Sequence, residues 1–170
     1  MKKILLGLLV FVLAVAGSGY ILLQDKIAAS GPESKLYDIK LISEWIQLKL
    51  PASDQEKVAL KLQFMQERLN ELTDLERTKN LTKENVAKIQ ERYNSLADDL
   101  MNSLKQKAQD KVDAEKKALA DKAQSVIAKQ QDSLKQIIDK APDSVKGPVD
   151  SLLNTVEDAY NRAVSIFEGK

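Results

Sequence analysis

From Ser34 onward, apolar residues recur every three or four positions, which is the interval of an α-helix seen from one side. A different pattern precedes them. From Ile4 to Leu23 the chain is apolar almost throughout and carries no charge. Together the two patterns predict an all-α protein: an N-terminal transmembrane or signal helix, then helices over residues 35–50, 53–79, 82–141 and 148–167.

The boundaries of these helices have local causes. Ser34 is placed to cap the first, and Pro51 ends it because a helix interior has no use for a residue without an N–H. Ser53-Asp54-Gln55-Glu56 is a capping box, in which hydroxyl and carboxylate each satisfy a backbone donor of the other. Behind it Val58, Leu62, Met65, Leu69 and Leu72 step by four and three, a narrow seam of the coiled-coil kind, while Gln63, Glu67, Arg68, Asn70 and Glu71 fall outside the seam and are expected in water. Asn80-Leu81 is too short for anything but an antiparallel hairpin, with Thr82 as the next cap and Leu81 stapled onto Val86.

Residues 82–141 contain neither Pro nor Gly, and as one helix they would span roughly 90 Å. Val86, Ile89, Tyr93, Leu96, Leu100 and Leu104 give the first half a good seam. Residues 105–124 are thin in apolar side chains and rich in Lys, Gln and Asp. Leu134, Ile137 and Ile138 then thicken the pattern again before Pro142. The expected architecture is extended helical hairpins built on one long helix, 82–141. In it the 53–79 helix lies on the first half and the 148–167 helix on the second. The alternative is that the thin middle breaks and the halves close as one bundle. The last helix is expected from Pro148, with Val149, Leu152, Val156, Ala159 and Ala163 on its apolar face.

The 35–50 helix is apolar on two sides. Leu36, Ile39, Ile42, Ile46 and Leu50 form one stripe, and Tyr37, Leu41, Trp45 and Leu48 another. A helix with two apolar sides is either sandwiched or in touch with lipid or a partner. The second stripe, Tyr37, Leu41, Trp45 and Leu48, is the candidate interaction surface.

The run 4–23 has the length of a membrane span and follows Lys2 and Lys3, which hold its start in the cytoplasm. It reads as an uncleaved signal-anchor, or as a signal peptide cut near Ala16 after the small-x-small step Ala14-Val15-Ala16. Residues 24–33 follow as a polar linker ending in Ser30-Gly31-Pro32. Either way residues 34–170 form an extracytoplasmic helical domain, single-pass at the cell membrane or secreted.

Composition narrows the chemistry. The net charge is +1, and without Lys2 and Lys3 it is −1, so there is no basic field for nucleic acid. The chain has no Cys and no His, which removes disulfides, thiol nucleophiles, Ser-His-Asp relays and Cys/His zinc sites. The adjacent carboxylates Asp98 and Asp99 lack the further oxygens that a hard cation requires. The run Lys105, Lys107, Lys111, Lys116, Lys117 is neutralised by Asp110, Asp113 and Glu115. No catalytic constellation and no cofactor site is expected.

The segment Pro32 to Glu71 resembles a family of bacterial extracytoplasmic domains of unknown function that follow an N-terminal apolar segment and open on Pro-x-Ser-x-Leu-Tyr-x-Leu-Lys. The matching residues are Pro32, Ser34, Leu36, Tyr37, Ile39 and Lys40, then Glu56, Lys57, Leu62, Arg68, Leu69 and Glu71. Lys35 stands where that family usually has Pro, and Ile39 where it has Leu. The resemblance implies a helical domain outside the membrane and brings no site residues with it. The expected function is a non-enzymatic module, membrane-anchored through residues 4–23 or secreted, that binds a protein partner or the envelope. A periplasmic stress chaperone and a self-associating spacer, with a second copy as homo-oligomeric partner, are the alternatives.

Overall fold

The computed structural model describes residues 25–110 and 113–168; the apolar run 4–23 and the cleavage point at Ala16 lie outside them. Helix is the only regular secondary structure among the described residues. Residues 25–28 are helical, and after them come α1 (Tyr37–Lys49), α2 (Asp54–Arg77), α3 (Lys83–Asp110), α4 (Asp113–Lys140) and α5 (Asp143–Glu168). The chain divides into two compact units, residues 1–45 and 46–170.

In the first unit the backbone turns twice before α1. Ala29 N–H donates to Asp25 O and Ser34 N–H to Gly31 O, both at 2.9 Å. The Ser34 hydroxyl then accepts from Leu36 N–H at 3.1 Å within the turn that leads into α1. The helix starts at Tyr37, two residues later than expected, so Ser34 closes that turn rather than capping the helix. Lys40 is buried and reaches back with its ammonium to Ser30 O at 3.5 Å.

The second unit is a four-helix bundle. α2 packs on α3 and on α4, and α5 packs on α3 and on α4, which leaves α3 and α4 facing each other across the centre. Each helix brings one seam to the shared core. From α2 come Val58, Leu62, Met65, Leu69 and Leu72, and from α3 come Val86, Ile89, Tyr93, Ala97, Leu100 and Leu104. α4 supplies Leu119, Ala123, Ile127, Leu134 and Ile137, and α5 supplies Val145, Val149, Leu152, Val156, Ala159 and Ala163.

This corrects the expectation of one helix over 82–141. The run is two helices, and they are folded against each other rather than collinear. The Tyr93 hydroxyl donates to Gln130 Oε1 at 2.6 Å; in one straight helix, 37 residues would hold them about 55 Å apart. The driving force is burial. On an unbroken spine each half would cover its seam with a single partner helix. Closed as a bundle, each seam meets two neighbours and the centre.

Arg68 and Glu71, expected in water, are buried, and Arg68 is fully so. Arg68 Nη2 lies 2.9 Å from Glu71 Oε1, one turn along α2. Phe64, on the same side of α2, is buried as well, although it is not part of the bundle core. α2 thus carries buried side chains outside its seam, and a single-seam reading cannot anticipate that.

α5 begins at Asp143 rather than Pro148, so Pro148 lies inside the helix. Its missing N–H leaves the carbonyl of Ser144 without a helical donor, and Ser144 is exposed to water that can replace it. Starting early seats Val145 in the core, 2% exposed, one turn ahead of Val149.

The α2–α3 hairpin is closed by a full C-cap. Lys79 N–H donates to Glu76 O at 3.1 Å and Asn80 N–H to Leu75 O at 2.8 Å. This geometry requires the residue after the cap to be left-handed, and Lys79 sits at φ 59. A side chain with a Cβ pays about 1 kcal/mol there relative to Gly. Lys79→Gly should therefore raise the unfolding free energy by about 1 kcal/mol, read from urea midpoints at unchanged slope.

At the start of α2 the capping box forms as its sequence predicts. Glu56 N–H donates to Ser53 Oγ at 3.3 Å and Ser53 N–H to Glu56 Oε2 at 2.7 Å. Ser53→Ala should cost about 1 kcal/mol at neutral pH by thermal or urea unfolding. The bonds from Ser53 hold the Glu56 carboxyl below its ordinary 4.5. A carboxyl depressed in the folded state stabilises above its unfolded pKa, and the effect is lost as pH falls through the folded value. The difference between wild type and Ser53→Ala should accordingly shrink on acidification below pH 4.5.

Candidate functional site

Three places have features that a folded core alone does not call for: the centre of the bundle, the groove between α3 and α5, and the outer side of α1.

At the centre, the seam of α4 carries Gln130 between Ile127 and Leu134, and Gln130 and Tyr93 are both fully buried. The Tyr93 hydroxyl satisfies Gln130 Oε1, but Gln130 Nε2 has no hydrogen-bond partner. Burial pushes the Tyr93 hydroxyl far above its ordinary value, so it remains a neutral donor at any physiological pH. Desolvation is the cause of that shift, and the pair belongs to the interior of the bundle. Its chemistry is that of a lock on helix pairing rather than of a catalyst.

Between α3 and α5 runs an open groove of about 440 Å³, lined by Asn94, Asp98, Ser151, Asn154, Asp158 and Arg162 among others. The two helices run in the same direction here, since Gln90 pairs with Ser151 and Asp98 with Arg162. Ala97, Ala159 and Ala163 are buried, and such small side chains let the two backbones approach. Arg162 Nη1 is 2.9 Å from Asp98 Oδ1 and 3.4 Å from Asp158 Oδ2, and the Asp98 carboxylate above all holds the guanidinium pKa above its usual value. The carboxylates are largely exposed, so the network contributes little to stability. Ser151 is the one hydroxyl with a catalytic look, yet its Oγ accepts from Gln90 Nε2 at 2.9 Å. An amide N–H cannot remove a proton, so this serine is not an activated nucleophile. Asp99, the neighbour of Asp98, offers its backbone carbonyl to Lys61 Nζ at 2.8 Å, which ties α2 to α3. No group of three or more Asp or Glu converges on a common point among the described residues.

The outer side of α1 is different. The residues of the candidate interaction surface are not displayed together. Tyr37 is buried, Leu41 and Leu48 are half-buried, and Trp45 is 55% exposed. The side that faces out carries Ile39, 47% exposed, and Ile42, 51% exposed, from the other stripe. With Trp45 they stand one per turn at steps of three. Leu50, just past the helix end, is also exposed. Sequence reasoning found both stripes but not which one is outward. Lys40 and Glu44 lie beside Tyr37 on the helix wheel and are buried with it, which turns that side of α1 inward.

Among the described residues no helix is long and apolar enough to cross a membrane. In comparisons with known proteins, a family model described as "Domain of unknown function (DUF5667)" matches residues 29–144, more than half of the chain. The match takes in α1 to α4 and ends at the first residues of α5. No curated protein and no solved structure matches.

The buried pair at the centre yields a stability test. Tyr93→Phe strands Gln130 Oε1 beside the already unpartnered Nε2 and should cost about 1–3 kcal/mol in urea unfolding. Adding Gln130→Leu removes the stranded groups, so the double variant should recover most of that loss. A double variant less stable than either single one would show that the pair is worth more than its desolvation.

Proposed function

The chain belongs to the DUF5667 family, domains of unknown function, and we propose that this protein is a non-enzymatic helical module held at the outer face of the cell membrane by residues 4–23, where it binds through helix faces. The observation that carries this reading is the row Ile39, Ile42 and Trp45, exposed on the helix nearest to the apolar run. Exposed apolar side chains that repeat on one helix face mark a contact surface more often than scattered ones do.

Two further observations support it. The bundle core is filled by side chains, and the groove between α3 and α5 presents a cation already shared by two carboxylates. With neither Cys nor His in the chain, the usual proton relays and thiol chemistry have no residues to run on. The run Ile4 to Leu23 is long enough to span a bilayer in helical form, and Lys2 and Lys3 favour a cytoplasmic start, which leaves the bundle on the far side.

The experiment is fractionation of cells that express the full chain, combined with sequencing of its mature N-terminus. The expected result is a protein that stays with membranes through an alkaline carbonate wash, keeps residues 4–23, and loses the bundle to protease added outside the cytoplasmic membrane. A mature chain starting just after Ala16 and recovered free of membranes would replace the anchored module with a secreted one. Protection of the bundle from external protease would end the extracytoplasmic reading altogether.

A further inference from the structure

We propose that the outward row of α1, Ile39, Ile42 and Trp45, beds into the lipid surface of the membrane in which residues 4–23 are anchored. The inference rests on the anchored reading above and adds what the row binds: phospholipid at the headgroup boundary rather than another protein.

Reach is the first argument. About 13 residues separate Leu23 from Tyr37, so even a fully extended connection holds the start of α1 within roughly 45 Å of the end of the apolar run. The turns closed by Ala29 N–H to Asp25 O and by Ser34 N–H to Gly31 O shorten that connection further. Such a tether keeps α1 at the bilayer at high effective concentration, so a weak contact suffices.

Residue type is the second. The row sets a Trp beside two Ile, 55%, 51% and 47% exposed. Trp favours the boundary between acyl chains and headgroups, where its ring is apolar and its N–H can stay wet.

Size and charge discriminate between occupants. Three half-exposed side chains fall far short of the roughly 800 Å² per partner that a stable protein interface needs, which disfavours a second copy of the chain. A lipid surface sets no such minimum area, and the tether supplies what three side chains alone would lack. The exposed charges of residues 25–49 cancel, Lys26, Lys35 and Lys49 against Asp25, Glu33 and Asp38. Insertion is therefore driven by apolar burial and indifferent to lipid charge, unlike the docking of a basic segment on anionic headgroups.

Trp45 is the only Trp in the chain, so its fluorescence reports on this face alone. The full chain is reconstituted into phosphatidylcholine vesicles, with and without phosphatidylglycerol, using acyl chains brominated close to the headgroup. The expected result is co-flotation with the vesicles, a blue-shifted Trp45 emission quenched by about half by the brominated lipid, and the same quenching in both lipid mixtures and at high salt. In Ile39→Ser/Ile42→Ser the quenching should fall and soluble iodide should reach Trp45. The helical circular dichroism should stay unchanged, since both replaced side chains face outward.

Co-flotation with Trp45 open to iodide and blind to brominated lipid overturns the proposal and leaves the anchor in place. A blue-shifted emission blind to brominated lipid also overturns it, because the row is then covered by protein, either a second copy or the chain's own residues 4–23. Failure to float with vesicles at all overturns both the proposal and the anchored reading.

Discussion

Four narrow seams and one shared core dictate the shape of residues 46–170. Each bundle helix carries apolar residues on a strip about one side chain wide, at steps of three and four. A strip of that kind can be dried only by helices on both flanks. Two hairpins side by side provide this, and collinear hairpins do not. The tight α2–α3 turn, the reversal after Asp110 and the kept Pro148 all follow from that demand. The turn accepts a left-handed Lys79, and the helix accepts a missing donor at Pro148, because the seams on either side are brought into register. Burying a Leu, Ile or Val contributes about 1.5–3 kcal/mol, more than either local cost.

Gln130 is the exception inside that core, and it explains why the architecture was hard to read. Leu119, Ala123, Ile127, Gln130, Leu134 and Ile137 form a regular seam once Gln130 is admitted to it. Read by hydropathy, the polar residue interrupts the row and the small Ala123 weakens it, so the first half of α4 looked like a solvated spacer. With no Pro or Gly between residues 82 and 141, the thin stretch 105–124 was the local sign of a break. The alternative of a broken middle closing as one bundle is the one that helices ending at Asp110 and starting at Asp113 match. The caps at Ser53 and Thr82, the stop at Pro51 and the seams of α2 and α5 were legible because each depends on residues within one turn of itself. The reversal depends on Tyr93 meeting Gln130, a contact between distant residues that no window of the sequence contains.

Buried charge accounts for the other misreading. Lys40, Glu44, Arg68 and Glu71 looked like surface residues by type, and all four are interior. Lys40, Arg68 and Glu71 are also among the residues that carry the resemblance between Pro32 and Glu71, together with buried Pro32, Tyr37, Leu62 and Leu69. Most of that signature is thus made of residues that fix structure. Removing one member of a buried ion pair is far more damaging than replacing a surface charge. A signature made of such residues identifies an architecture and gives no information on a reaction.

This division of labour bears on where function can reside. Residues committed to burial are not available to a ligand, and in the first unit they occupy the side of α1 that carries Tyr37, Lys40 and Glu44. The opposite side carries Ile39, Ile42 and Trp45, each about half exposed, which forgoes part of their apolar burial. α1 thus buries two of its four charged residues, Lys40 and Glu44, and leaves Asp38 and Lys49 in water beside the exposed row. Under the anchored module proposed above, the charge-free apolar run at residues 4–23 would bring the lipid boundary within reach of that exposed row.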